Sequence, residues 1–121
     1  MYTDYVECGV SRTLHILSKK WMFLILLELY DAHKGLRFSD IREAIPGITP
    51  KVLSDRLKEL EDEGIVYRSV LEQSIPPKTE YGLTPCGAEC VEIIRVTKKW
   101  TENWKEHPPL CPVYQERRCP L

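Results

Sequence analysis

The sequence predicts a mainly α-helical domain with one small β-hairpin. Apolar residues recur at helical spacing along most of the chain, which is the pattern of helices with one buried face. Two Thr-Pro pairs, Thr49-Pro50 and Thr84-Pro85, each have the form of a capped helix start. Between the helices that they open lie two short runs rich in β-formers. These features favour a helical domain in which a hairpin precedes the last helix.

Length and charge narrow the class of protein. The chain has 121 residues, 43% of them hydrophobic, and a net charge of −1. This suffices for one domain, expected over residues 1–106, followed by an irregular tail over 107–121 that is rich in proline. The balance of charge excludes a strongly basic nucleic-acid coat, so any nucleic-acid site must be a local patch. The longest apolar run, 21–27, is too short for a bilayer, which takes about 20 residues. With no secretory signal apparent, we expect a cytoplasmic protein without a membrane partner.

The first two predicted helices are adjacent. Val10, Leu14 and Leu17 follow the i, i+4, i+7 spacing of a short amphipathic helix over 10–18. Ser18 is then expected to cap a second helix over 19–32. That second helix is apolar on every side, which is typical of a helix at the centre of a core. Gly35 is expected to end it in the left-handed conformation.

A shorter helix and a turn come next. Residues 36–38 are predicted to be extended, and Ser39 is expected to cap a helix over 40–45. Pro46-Gly47 breaks this helix, and Ile48 should be the buried residue of the turn. Thr49 and Pro50 then begin a helix that runs to about Glu63 and stops at Gly64.

The hairpin and the last helix complete the pattern. Residues 65–70 and 79–84 form the two strands, and the loop over 71–78 contains Pro76-Pro77. Thr84-Pro85 opens a long final helix. A short helix, a tight turn, a second capped helix and a hairpin make a winged helix-turn-helix.

The charges of the second helix of this motif favour contact with DNA. Leu53, Leu57 and Leu60 point to one side of it. Residues 49–58 carry a net charge of +2, whereas residues 59–63 carry −4. The helix dipole prefers the reverse order by about 0.3–1 kcal/mol per charge. A reading helix places its N-terminal half in the major groove beside phosphates, where cations are useful. The alternative interpretation is an ordinary solvated helix face.

Ten residues are candidates for DNA contact. Those expected in the major groove lie opposite the three leucines, while the others are expected at phosphates, with Thr49 also capping the helix. Arg56 lies nearest the buried side. Arg68 and Lys78 have an alternative role as charges that keep the hairpin edge soluble. The groove candidates are Lys51, Ser54, Asp55 and Lys58, and the phosphate candidates are Ser39, Arg42, Thr49, Arg56, Arg68 and Lys78.

Several motifs occur together in a characteristic order. They are Lys20-Trp21 before the apolar run, RFSDI at 37–41, PGITPKVL at 46–53, RLKEL at 56–60, GIV at 64–66, and EYGLT at 80–84 with Gly87. Together they resemble the HxlR-type transcriptional regulators, which are small winged helix-turn-helix proteins akin to the MarR group. The resemblance extends over about residues 8–104.

The resemblance implies a homodimer that binds double-stranded operator DNA as a repressor or an activator, with no cofactor or metal. It also implies that the first and last helices form the dimer interface. Ile93, Ile94, Trp100 and Trp104 agree with this, because they give the last helix more apolar surface than a small domain needs. A two-fold dimer would place its reading helices about 34 Å apart.

The five cysteines leave several alternatives open. The resemblance places a cysteine before the first helix, as Cys8 is, and in some relatives that thiol senses oxidants or electrophiles. The usual Cys-Pro is Cys8-Gly9 here, and the alternative is an inert thiol at the dimer interface. Cys86 and Cys90 are either core residues or one turn of a metal site. A disulfide or a metal clip in the tail would involve Cys111 and Cys119, with His107 nearby.

Three other functions are compatible with parts of the pattern. The winged helix can be a protein-interaction module without DNA binding. A thiol enzyme is a weaker reading, because the histidines at 15, 33 and 107 lie in other elements than the cysteines. A regulator of DNA can also respond to a small molecule bound between the dimer helices.

Overall fold

The structure, a computed structural model, describes residues 8–105. Five helices and three short strands follow one another in this range. A helix and strand order of this kind is what the capped starts and the β-rich runs predict. The elements are α1 (Gly9–Leu17), α2 (Met22–Ala32), β1 (Leu36–Arg37), α3 (Phe38–Ala44), α4 (Pro50–Asp62), β2 (Val66–Leu71), β3 (Lys78–Leu83) and α5 (Pro85–Trp104).

The hairpin belongs to a three-stranded antiparallel sheet of order β1-β3-β2. Strand β3 pairs with β2 from Val66 opposite Leu83 to Leu71 opposite Lys78. On its other edge it pairs with β1, where Leu36 lies opposite Tyr81. The prediction of a hairpin alone was therefore incomplete, because the extended stretch before α3 returns to the sheet as a third strand.

The core forms around α2. Met22, Ile25 and Leu26 have no exposed surface, which confirms that this helix, apolar on every side, is central. Leu53 and Leu57 of α4 are buried in the same cluster, together with the last leucine of that stripe, Leu60. Helix α4 is thus fixed to the body by one leucine face, which leaves its opposite face outward.

The start of α2 differs from the prediction. Ser18 does not cap α2 but ends α1, where its backbone N–H donates to the Leu14 carbonyl and its hydroxyl donates to the His15 carbonyl. Trp21 then adopts a left-handed conformation, with φ of 79°, and α2 begins at Met22. Such a conformation costs a bulky residue about 1–3 kcal/mol. Packing of the Trp21 ring against the core and the Lys20 ammonium 4.8 Å from its centre offset that cost.

Two further cap predictions were wrong. His33, and not Gly35, is the left-handed residue that ends α2, with φ of 53°. Gly35 instead lies close to β3, where an added Cβ would be 2.7 Å from the Glu80 carboxylate, the movable end of that side chain. Ser39 lies inside α3, which begins at Phe38; the first turn is closed by the Arg37 backbone N–H donating to Asp40 Oδ2 at 3.0 Å.

The two Thr-Pro starts are confirmed. Thr49 Oγ1 accepts a hydrogen bond from the Val52 backbone N–H at 3.2 Å, and Thr84 Oγ1 accepts one from Gly87 at 3.0 Å. The end of α4 is confirmed as well, since Gly64 has φ of 73° just past the helix. Ile48 is buried in the turn before α4, as predicted.

The tail predictions, which concern His107, Cys111 and Cys119, lie outside the described residues, and the division of the chain at 106 stays a prediction. Among the helices of the described range, none is long and apolar enough to cross a membrane.

Candidate nucleic-acid interface

The outward face of α4 carries all four residues predicted for the major groove. Lys51, Ser54, Asp55 and Lys58 are all exposed, on the side opposite the buried leucines. The side chains of Lys51 and Lys58 are 85% and 71% exposed. The capped N-terminus at Thr49 is exposed too, so its backbone N–H groups and hydroxyl border the same face. The structure therefore brings these five residues together on one helix end.

The lysines of this face are only weakly paired. Lys51 Nζ lies 3.4 Å from Asp55 Oδ2, and Lys58 Nζ lies 3.3 Å from Asp62 Oδ1. An exposed i, i+4 pair contributes about 0.3–0.5 kcal/mol, and less when the cation precedes the anion along the helix. Both ammonium groups can therefore exchange their carboxylate for a phosphate at little cost.

Arg56 does not project outward, as a side chain that contacts phosphate would. Its side chain is only 21% exposed. Its Nε donates to the Lys20 carbonyl at 3.1 Å, and its Nη1 donates to Glu59 Oε1 at 3.1 Å. Glu59 is a neighbour on α4 itself, whereas the Lys20 carbonyl belongs to the segment before α2, so the guanidinium holds α4 to that segment.

Two carboxylates in the acidic half of α4 and just beyond its end complete this attachment. Glu59 Oε2 lies 2.8 Å from Lys19 Nζ while its other oxygen accepts from Arg56. Glu63, at the C-cap of α4, accepts from Arg12 of α1 at 2.9 Å. These pairs join residues 40 and 51 positions apart. Sequence spacing gives no signal for them, because the partners meet only through the tertiary fold.

The remaining phosphate candidates flank α4 on other elements. Ser39 and Arg42 are exposed on α3, the first helix of the motif. Arg68 and Lys78 are exposed on the two strands of the wing. Arg68 lies opposite Tyr81 and Lys78 opposite Leu71, so three rungs of the ladder separate the two cations. Arg68 and Lys78 therefore lie at different positions along the strands of the wing and do not form one cluster.

The wing tip carries an apolar residue that sequence reasoning missed. Ile75, in the loop between β2 and β3, is 99% exposed. It precedes Pro76-Pro77, so three apolar residues stand in sequence at the tip. A run of apolar residues in a loop predicted to be exposed is the signal that could have identified it.

Helices α1 and α5 expose a further apolar surface. α1 contains no buried residue, although its spacing is amphipathic. On α5, Trp100 is 53% exposed and Trp104 is 75% exposed. The apolar surface of the two helices consists of Val10, Leu14, Ile93, Val96, Trp100 and Trp104.

Cys8 occupies the N-cap position of α1 and is exposed. Hydrogen bonds from the backbone N–H groups of Ser11 and Val10 lower the pKa of its thiol. A lowered pKa raises the thiolate fraction near neutral pH, and the thiolate is the reactive form. Arg12 does not supply this effect through its side chain, because its guanidinium is paired with Glu63.

The two α5 cysteines differ in burial. Cys90 is buried, as expected of a core residue, and burial and then the neighbouring Cys86 raise the pKa of its thiol. Cys86 is exposed, contrary to the core reading. Within the range 8–105, no three His, Cys, Asp or Glu side chains converge as a metal-ligand set.

Comparison with known proteins gives concordant matches. Residues 16–109 match the family described as HxlR-like helix-turn-helix. The HTH-type transcriptional regulator YdeP of Bacillus subtilis (strain 168) is 39% identical over 103 residues, which cover 85% of this chain and 78% of YdeP. The reduced form of the transcriptional regulator YodB from B. subtilis is 36% identical, with a TM-score of 0.73 over 82% of this chain and 95% of that one. The redox regulator HypR in its oxidized form is 35% identical, with a TM-score of 0.69 over 83% of this chain and 100% of that one.

Proposed function

The chain belongs to the HxlR-like helix-turn-helix family, a family of transcriptional regulators and not an enzyme class, and from that premise we propose that it binds operator DNA with α4 in the major groove. The observation that carries this proposal is the outward face of α4. Two weakly paired lysines, Lys51 and Lys58, stand there beside Ser54 and Asp55, which can donate to or accept from base edges.

Phosphate contacts would come from the flanking elements. The exposed Arg42 of α3 stands in the first helix of the motif, which crosses the DNA backbone in proteins of this geometry. Lys78 and Arg68 lie on the wing, from which they would reach the adjacent backbone. Ser39 remains a candidate through its exposed hydroxyl, although it is not a helix cap. Arg56 has internal partners and is left out of the proposed interface.

The regulator would act as a homodimer through α1 and α5. The exposed apolar side chains of these helices, which include Trp100 and Trp104, would be covered in such a dimer. A second copy of the chain is the partner that an operator-binding protein needs, because two-fold symmetry presents two reading helices to two half-sites. A cytoplasmic location stays a prediction. It is the location in which such a regulator would reach the DNA.

Regulation through Cys8 is the second part of the proposal. HypR is described as a redox regulator, and YodB has been solved both reduced and diamide-treated. In this chain the exposed Cys8 thiol at the N-terminus of α1 has a lowered pKa. An oxidant or an electrophile that modifies it would act on one of the helices of the proposed dimer interface.

Fluorescence anisotropy of the reduced protein on mixed-sequence duplex DNA tests the central claim. Log affinity should fall linearly with log salt, by about 0.9 per phosphate contact. A Lys51→Ala/Lys58→Ala variant loses four lysines per dimer, so the slope should shrink by about 3.6 if each contacts a phosphate.

Lys98→Ala is the control, because it also removes a lysine that pairs with a carboxylate four residues on, here Glu102, but on α5; its slope is compared with that of Lys58→Ala, which removes the same number of lysines. Lys98→Ala should keep the wild-type slope. Absence of DNA binding at low salt would contradict the proposal, and would favour the protein-interaction module. An equal loss of slope in the control would show that overall charge, and not the α4 face, drives binding.

A further inference from the structure

A groove of about 340 Å³ lies where α1, the segment after α4, and α5 meet. Its wall on α5 includes both Cys86 and Cys90. The α1 side contributes Ile16, and the segment after α4 contributes Glu63 and Ile65. Neither the DNA face nor Cys8 takes part in it. It is therefore separate from the DNA face and from Cys8, and it shares Ile93 with the apolar surface of α1 and α5.

The two thiols of the groove are placed to act together. Residues four apart on a helix are neighbours on its surface, with Cβ atoms about 5–6 Å apart. Cys86 is exposed to solvent, whereas Cys90 is buried. Burial raises the pKa of Cys90, which keeps this second sulfur a neutral thiol near pH 7. An incoming compound would thus meet Cys86 first and Cys90 second.

The other lining residues select the charge and polarity of an occupant. Glu63 and Glu89 place two carboxylates at the groove, which disfavours anionic compounds. Ile16, Ile65 and Ile93 supply apolar walls. A compound that is not anionic, has an apolar part and can bond to two sulfurs suits this lining.

We propose that this groove binds neutral compounds of trivalent arsenic that carry one apolar organic group, through Cys86 and Cys90 together. The reaction of such an organoarsenic oxide with two thiols forms two As–S bonds. The two S–H bonds break, and the oxide oxygen leaves as water with both protons. Arsenic stays trivalent throughout, so no oxidant or reductant is needed.

This class matches the number of ligands as well as the shape. A soft metal ion that prefers three or four protein ligands lacks them here, because the described residues contain no such set. A mono-organoarsenic compound brings its own carbon as the third substituent and takes only two thiols. Its organic group would lie against Ile16, Ile65 and Ile93, away from water.

Occupancy of the groove has a route to α4. Glu63 lines the groove and also accepts the hydrogen bond from Arg12 that ties α1 to the end of α4. A bound organic group beside Glu63 would compete with that contact and loosen the reading helix. This regulatory consequence, unlike the binding itself, rests on the proposed function.

Binding is tested on the full chain with Cys8, Cys111 and Cys119 replaced by serine, with phenylarsine oxide as the probe. Intact mass should show one phenylarsenic group per chain, retained against excess of a monothiol and removed by a dithiol. Cys86→Ser in the same background should lose this retention at least tenfold. Because Cys86 is exposed, that variant should fold. Equal retention in the Cys86→Ser variant, or no adduct in the parent, would overturn the site.

Anisotropy with the same parent protein tests the consequence. One bound equivalent should weaken DNA affinity at least tenfold, and dithiol should restore it. Full occupancy with unchanged DNA affinity would overturn the link to α4. Failure of the untreated protein to bind DNA would instead contradict the proposed function, and the mass measurement would still decide the site.

Discussion

Replacing Arg56 and Lys58 separately by alanine should have opposite consequences, although the two residues are neighbours on one cationic half-helix. Arg56 is 21% exposed and bonds the body of the domain, whereas Lys58 is 71% exposed and pairs only with Asp62. We therefore expect Arg56→Ala to lower the free energy of unfolding and to leave the DNA salt slope unchanged. Lys58→Ala should leave the free energy of unfolding nearly unchanged and should reduce the DNA salt slope.

The magnitudes follow from the contacts of each side chain. Arg56 makes two hydrogen bonds of 3.1 Å, to the Lys20 carbonyl and to Glu59. At about 0.5–1.5 kcal/mol net for each bond, its removal should cost about 1–3 kcal/mol. The exposed Lys58–Asp62 pair contributes no more than about 0.5 kcal/mol. If each Lys58 also neutralises a phosphate from the groove, Lys58→Ala removes two such contacts per dimer and should lower the salt slope by about 1.8, which is about 60-fold in affinity at 0.1 M salt relative to 1 M.

Urea denaturation and the anisotropy salt series measure the two effects in the same preparations. With an m-value of about 2 kcal/mol/M, Arg56→Ala should lower the urea midpoint by about 1 M. All variants must be compared at one protein concentration, because dimerisation contributes to stability. If Arg56→Ala kept the wild-type midpoint and reduced the salt slope as much as Lys58→Ala, the inward placement of the guanidinium would be refuted.

Three other perturbations have defined outcomes. A Trp100→Ser/Trp104→Ser variant should sediment as a monomer at concentrations where the wild type is a dimer, because both rings are more than half exposed on the separate chain; an unchanged dimer would remove α5 from the interface. Thr49→Ala should cost about 1 kcal/mol of stability in urea denaturation, through loss of the bond from the Val52 N–H; an unchanged midpoint would show that this cap contributes nothing. The pH midpoint for alkylation of Cys8, followed by mass spectrometry, should lie lower in the folded protein than in urea, because folding lowers its pKa. Arg12→Ala should leave that midpoint in place, since the Arg12 guanidinium pairs with Glu63; a rise would assign the effect to this cation.

Local signals accounted for much of the fold. The two Thr-Pro starts and Gly64 depend on hydrogen bonds and dihedral angles within one turn, and all three predictions were confirmed. Ser18 and Ser39 failed as caps because a serine is compatible with both ends and interior positions of a helix. At α3 the local bond from the Arg37 N–H to Asp40 made Arg37 the cap, and at α2 a tertiary contact decided. The start of α2 depends on the Trp21 ring packing on the core, which no local rule contains.

The candidate site was predictable where orientation alone mattered. Lys51, Ser54, Asp55 and Lys58 follow from helical periodicity and the leucine stripe, and the structure exposes all four. Arg56 was ambiguous because it lies at the border between the faces. Its position was decided by the Lys20 carbonyl, 36 residues away in sequence. The groove with its two thiols was equally invisible, because three separate elements form its wall.

The ion pairs at the acidic end of α4 explain its unusual charge order. Anions at the C-terminal end of a helix oppose its dipole, at about 0.3–1 kcal/mol each. Here the two anions Glu59 and Glu63 have partners elsewhere in the domain, because Glu59 accepts from Lys19 and Glu63 accepts from Arg12. The acidic end of α4 is thereby fastened to α1 and to the chain before α2, in addition to the leucine face that packs on the core. Under the proposed function, these ion pairs would transmit a displacement of α1 to α4. Modification at Cys8, which begins α1, and occupancy of the groove, which contains Glu63, would act on the DNA contacts through these same ion pairs.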